Sequence, residues 1–187
     1  MIALPMACST NGGKIVASEI PTVQVKDNNA AQWPASFELG RPATPSEIAL
    51  LDIDVRPDGK GLPAGSGTAA SGKLIYAAKC AVCHGKSGVE GLQARLVGAD
   101  TSIRAKTIGN YWPYATTVYD YINRAMPANA PGSLTSDEVY SLTAYLLNAN
   151  EIISENKIID AKTLPEIKMP AHDLFISDDR RGGPEIR

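Results

Sequence analysis

Apolar positions recur at helical spacing most clearly around residue 140, where Val139, Leu142, Tyr145 and Leu146 fall on one face. The start of that helix is well marked. Thr135 and Glu138 have the spacing of a capping box, Leu134 can staple onto Val139, and Asp137 and Glu138 favour the positive end of the helix dipole. The pattern predicts a helix through "LTSDEVYSLTAYLLNAN", a second in "YATTVYDYINRAM" stopped by Pro127, and a third in "AASGKLIYAAKC". In the last of these Gly72 calls for a reason, because glycine in mid-helix costs up to about 1 kcal/mol against alanine. Gly72 and Tyr76 lie four apart on one face, which lets the final helix cross close at the glycine and rest on the ring.

Elsewhere the periodicity fails. Pro21, Pro34, Pro42, Pro45, Pro57 and Pro63, followed by Gly59, Gly61, Gly65 and Gly67, read as an extended arm over 11–67. One helical turn is expected within it at "TPSEIALLDI", where Thr44 caps, Pro45 takes the first helical position and Glu47 supplies the reciprocal carboxylate. The expected organisation is an all-α unit over 68–150, between this arm and a Pro-interrupted tail over 151–187, with an apolar export-signal remnant at 1–10. The 187 residues, 44% of them hydrophobic, suffice for one core. A net charge of -2 gives no support for nucleic-acid binding, and no apolar run approaches the roughly 20 residues that span a bilayer. Three helices in about 80 residues make a small core, to which a prosthetic group would add apolar surface.

Chemistry concentrates in "KLIYAAKCAVCHGKSG", where Cys80, Cys83 and His84 form C-x-x-C-H, although the chain has only three cysteines and two histidines. A thioredoxin-like C-x-x-C wants a βαβ setting, and a structural zinc site wants four ligands, whereas Cys8 and His172 lie far off in the extensions. The spacing is that of c-type haem attachment: one covalently bound haem, two thioethers, and His84 on the iron. Met126, Met169 and His172 are the candidates for the sixth position, Met1 and Met6 lying in the signal-like segment. Met126 is preferred, because Met126-Pro127 ends one helix just before the next begins, and a neutral thioether favours Fe(II) and raises the reduction potential.

The order Gly72-x-x-x-Tyr76, C-x-x-C-H, Met-Pro and a last helix bearing Tyr145 resembles a class I cytochrome c. "KTIGNYWPYATTVYDYINRAMP", "GRPATPSEIALLDIDVRPDGKGLPAGSG" and "LPEIKMP" are similar to the cytochrome subunits of molybdenum-dependent sulfane and sulfite dehydrogenases, notably SoxD, so that the likeness runs over roughly 38–172. It implies an all-α, class I cytochrome c-like haem domain of three to four helices with long irregular extensions. Two departures stand out. Some SoxD proteins carry a second haem domain, and this chain has a single C-x-x-C-H; "GKSGVEGLQ" also lacks the proline whose carbonyl usually orients the proximal imidazole, so another backbone acceptor is expected. In the middle segment Tyr111 and Trp112 can pack on the porphyrin edge and donate to haem propionates, or simply pack as core. Arg104 and Arg124 can pair with propionates or remain solvated.

The resemblance implies an electron-transfer subunit, with no substrate chemistry of its own, that accepts electrons from a molybdopterin-containing subunit and passes them to a downstream acceptor such as another cytochrome c. A free-standing carrier, and a haem enzyme or gas sensor with a displaceable Met126, are the other readings. The extensions are poor at burying apolar area on three helices, so Trp33, Phe37, Leu39, Ile48, Leu50, Leu51, Met169, Leu174 and Phe175 are expected to find a partner surface, the alternative being that both arms wrap their own domain. Ala7-Cys8-Ser9 after an apolar run resembles the end of a lipoprotein signal, with Pro5 where Leu is usual. The alternative is the remainder of an ordinary export signal with Cys8 incidental; either reading predicts a periplasmic protein, whose one link to a membrane would be a lipid on Cys8.

Overall fold

The computed structural model describes residues 37, 39–100, 102 and 104–176. Cys8, Trp33 and the signal-like segment lie outside them. The chain divides into two units, Met1–Pro42 and Ala43–Arg187, and the site belongs to the second.

That unit is helical. Helix α1, Pro45–Leu51, starts with Thr44 as cap, Glu47 closing the box and Pro45 in the first turn. Helix α2, Ala69–Lys79, is capped by Thr68 and runs through Cys80 into the single turn α3, Ala81–His84. The short α4, Ile108–Tyr111, precedes α5, Ala115–Ala125, which ends at Met126 in an extended conformation. Helix α6, Ser136–Ala149, begins on the expected Thr135–Glu138 box: Thr135 N–H donates to Glu138 Oε2 at 2.9 Å, and Glu138 N–H to Thr135 Oγ1 at 3.3 Å.

Helices α2 and α6 cross where Gly72 leaves room. A methyl there would collide with the Ser141 carbonyl oxygen and stand 2.7 Å from Tyr145 Cβ. One turn on, the Tyr76 and Tyr145 rings lie 4.9 Å apart. The glycine that weakens α2 as a helix therefore sets its contact with α6.

The periodicity marked one apolar face on α6, but the helix is buried nearly all round: Tyr140, Ser141, Thr143, Ala144 and Leu147 are covered as well as Val139, Leu142 and Leu146. The extra cover comes from the arm and tail. Two-residue strands β1, Ser66–Gly67, and β2, Ile159–Asp160, pair antiparallel against it. Tyr140 O–H donates to the Pro63 carbonyl at 2.9 Å, and Ser66 N–H to the Asp137 carboxylate at 2.8 Å. Val55, Ile159, Leu164 and Met169 join Tyr76, Tyr119 and Leu147 in one core. Residues 43–67 of the expected arm and the described part of the tail thus belong to this second unit itself, and Met169, expected on a partner, is 1% exposed in its core. The reason is area: burying a large apolar side chain stabilises by about 1.5–3 kcal/mol, and two passing segments offer α6 several. Ile48, Leu50, Leu51, Leu174 and Phe175 remain exposed, as do Phe37 and Leu39 of the first unit.

Candidate haem site

A cavity of about 860 Å³ opens between α2–α3, α5 and α6. Its inner wall is apolar: Ile108, Val118, Ile122, Leu142 and Leu146, with Tyr76 and Leu96. Cys80, Cys83, His84, Trp112 and Met126 all line it. Cys80 is half-buried, and burial first, with nearby Cys83 adding and the Lys79 ammonium opposing, pushes its thiol up to about 11. It stands in the wall as a neutral, soft group.

His84 is aimed by its surroundings. Its Nδ1 lies 2.9 Å from the Ala94 carbonyl oxygen. A carbonyl can only accept, so Nδ1 carries the proton and Nε2 keeps its lone pair for a metal. Ala94 O is thus the acceptor expected in place of the missing proline carbonyl. The loop that brings it there is tightly tied. Gln93 N–H donates to the Cys83 carbonyl at 3.1 Å, Tyr76 O–H to the Gly85 carbonyl at 2.9 Å, and Leu96 N–H to the Gly88 carbonyl at 2.8 Å. Gly91 runs so close beneath the motif that a side chain there would strike the Cys83 and His84 backbone.

Of the candidates for a sixth ligand, the structure brings only Met126 to the cavity. Its N–H caps α5 by donating to Ile122 O at 3.1 Å, and the extended backbone turns the chain toward α6. Met169 is in the core, away from the cavity wall. His172 is exposed, with Nδ1 2.9 Å from Asp173 Oδ1 and its ring 5.4 Å from that of Tyr114.

Trp112 packs its ring edge against Tyr121 at 5.7 Å. Tyr111 is not brought to the cavity wall: it sits against Phe175 at 5.4 Å, with Lys106 Nζ 4.0 Å above its ring. Arg124 is taken up by Asp120, with Nε donating to Oδ1 at 3.0 Å, and Arg104 does not line the cavity. Three other cations do: Lys79, Arg95 and Lys106. Lys79 ends α2, whereas Arg95 and Lys106 arrive on irregular segments that no periodicity or motif marks. No aspartate or glutamate is among the lining residues. Two thiols at attachment spacing, an imidazole with Nε2 free, a thioether, apolar walls and cations at the mouth suit a haem with two carboxylate tails. No group of described residues forms a cluster of three or more His, Cys, Asp or Glu side chains able to hold a bare metal ion.

A family model described as "Cytochrome C oxidase, cbb3-type, subunit III" matches residues 67–146. Among solved structures the chain is similar to one in the sulfane dehydrogenase SoxCD from Paracoccus pantotrophus. The two share 40% identity over 78% of this chain and 74% of that one, with a TM-score of 0.69. The likeness to SoxCD therefore reaches well beyond the part matched by the haem-domain model.

Proposed function

Because this chain belongs to the SoxD-like family of c-type cytochromes, we propose that it holds one haem c through thioethers to Cys80 and Cys83, with His84 and Met126 as axial ligands. We place it as the electron-transfer subunit of a molybdenum sulfane or sulfite dehydrogenase. The observation that most supports this is the sorting of the soft and imidazole ligands: His84 and Met126 line one cavity, whereas Met169 and His172 do not. The haem, when bound, supplies a one-electron couple. Ala94 O fixes the tautomer and direction of His84. The Met126 thioether adds no charge and favours the reduced form. Val118, Ile122, Leu142 and Leu146 keep water from the inner wall, which lets the site change charge with little solvent rearrangement. Trp112 has an indole N–H to offer the group's polar edge.

The partner reading rests on the likeness to SoxCD and on the exposed apolar residues of α1 and the tail, including Leu51 at 84% and Leu174 at 67% exposure. A fixed partner would hold the donor near the cavity, so that two electrons from sulfur oxidation leave one at a time toward a downstream acceptor such as another cytochrome c. Attachment of haem c takes place outside the cytoplasmic membrane, so the reading carries a periplasmic location with it. No helix among the described residues is long and apolar enough to cross a membrane.

The test is a pair of methionine variants. In the holoprotein acid–acetone should leave the haem on the chain, and the oxidised form should show the weak far-red sulfur-to-iron charge-transfer band. Met126→Ala is expected to abolish that band and lower the potential. Met169→Ala should keep the band while losing about 2–5 kcal/mol of stability to a core cavity. Loss of the band in Met169→Ala instead would overturn the ligand assignment.

A further inference from the structure

Resting on the haem reading above, we infer that Lys106 is the cation that pairs with a haem propionate, and that Tyr111 is a positioning residue holding it there through its ring face. A haem placed in this cavity brings two carboxylates to an apolar pocket, and buried or half-buried carboxylates need cationic or hydrogen-bonding partners. Three cations line the cavity; Lys79 is engaged in an ion pair and Arg95 in part. Lys79 Nζ lies 2.6 Å from Glu138 Oε1, and Glu138 is itself locked into the α6 capping box. Arg95 uses Nε on the Val97 carbonyl at 2.9 Å, which leaves its terminal amino groups as a second donor. Lys106 has no carboxylate within ion-pair distance among the described residues. Its contact is with the Tyr111 ring, whose centroid lies 4.0 Å from Nζ.

That contact gives Tyr111 a role that does not need its hydroxyl. A ring face attracts an ammonium through the π quadrupole and restricts a long, otherwise mobile side chain. The ring is braced in turn: Phe175 meets it edge-on at 5.4 Å, and the segment before Phe175 is pinned by the Tyr114–Lys168 bridge. Thr107, next to Lys106, is buried, and its N–H donates to Asn110 Oδ1 at 2.8 Å, so the backbone carrying Lys106 is fixed as well. The next helical turn sends Trp112 into the cavity wall. A short stretch thus carries an ammonium, the ring that steadies it and an indole donor to one side of the site.

The test uses the holoprotein and reads the reduction potential against pH, after the pyridine haemochrome spectrum has shown that each variant holds its haem. Lys106→Gln is expected to lower the potential at neutral pH, because a cation near the iron opposes the oxidised state, and to move a propionate titration upward. Lys106→Arg should restore the wild-type curve. Tyr111→Phe should leave it unchanged, while Tyr111→Leu shifts it in the direction of Lys106→Gln. In the Lys106→Gln background Tyr111→Leu should add nothing. An unmoved potential in Lys106→Gln overturns the pairing. A Tyr111→Phe shift equal to that of Tyr111→Leu would make the hydroxyl, not the ring, the working group, and overturns the positioning role. Absence of covalent haem in the wild type would instead sink the haem reading itself, so the two failures are distinct.

Discussion

Between His84 and the carbonyl that orients it runs a stretch with no helix or strand, and Glu90 holds it in one shape. Its carboxylate accepts from Ser87 Oγ at 2.6 Å and from the Ser87 and Val89 N–H groups, each at 3.1 Å. The Ser87 hydroxyl first, then the Val89 N–H, hold its pKa down to about 2 against an ordinary 4.5. A depressed folded-state value means the ionised carboxylate stabilises the fold above the unfolded pKa, and that this is lost as pH falls through the folded one. Glu90 faces solvent, so the effect is small. Thermal melts of wild type and Glu90→Gln should differ by a constant amount at neutral pH, with the gap closing between about 4.5 and about 2. A gap that persists unchanged to the acid end would show that the charge is not what Ser87 and Val89 bind. At this scale much of the candidate site's lining was legible. Cys80, Cys83 and His84 announce their chemistry through spacing, and Met126 through its place at a helix end. Tyr111 was misplaced and Arg95 and Lys106 were missed, because which side chain reaches the cavity from an irregular segment depends on tertiary contacts that no local pattern encodes.

Among the elements, the α2–α6 crossing follows most directly from the chain. Helix propensity alone favours alanine over glycine by about 1 kcal/mol, yet at Gly72 the new methyl would meet the Ser141 carbonyl and Tyr145 Cβ. Gly72→Ala is expected to lower stability by about 1–3 kcal/mol through overpacking, read from the urea midpoint. A more stable variant would mean the helices part at no cost. The starts of α1 and α6 were legible because a capping box is local, with donor and acceptor three residues apart. The burial of α6 on its far side was not. It depends on Pro63, Ser66 and Ile159, which arrive from opposite ends of the unit and show no periodicity of their own.

For the whole molecule, what stays uncovered is as informative as what is buried. Helix α1 has a complete capping box and no buried residue, and a seven-residue helix is marginal in water without packing on something. Its Ile48, Leu50 and Leu51 are exposed, and so are Leu174 and Phe175 of the tail. A fixed dehydrogenase partner would cover such residues in an interface larger than the roughly 1,200 Å² of transient redox encounters. Isolated from its host, the chain should travel with a molybdenum-containing protein. Leu50→Asp with Leu51→Asp should release it while leaving the haem spectrum intact. A wild-type chain that purifies alone, as a monomer without molybdenum, would remove the fixed-partner reading.

The pairing of Ser66 with Asp160 and Gly67 with Ile159 also sets a clock. A chain emerges from ribosome or membrane channel in order, and segments of a domain wait for their partners. Cys80, Cys83 and His84 are out early, but α6 and β2, which close the unit around them, come last. On the haem reading, attachment machinery would therefore meet two reachable thiols on a chain that α6 and β2 have yet to close.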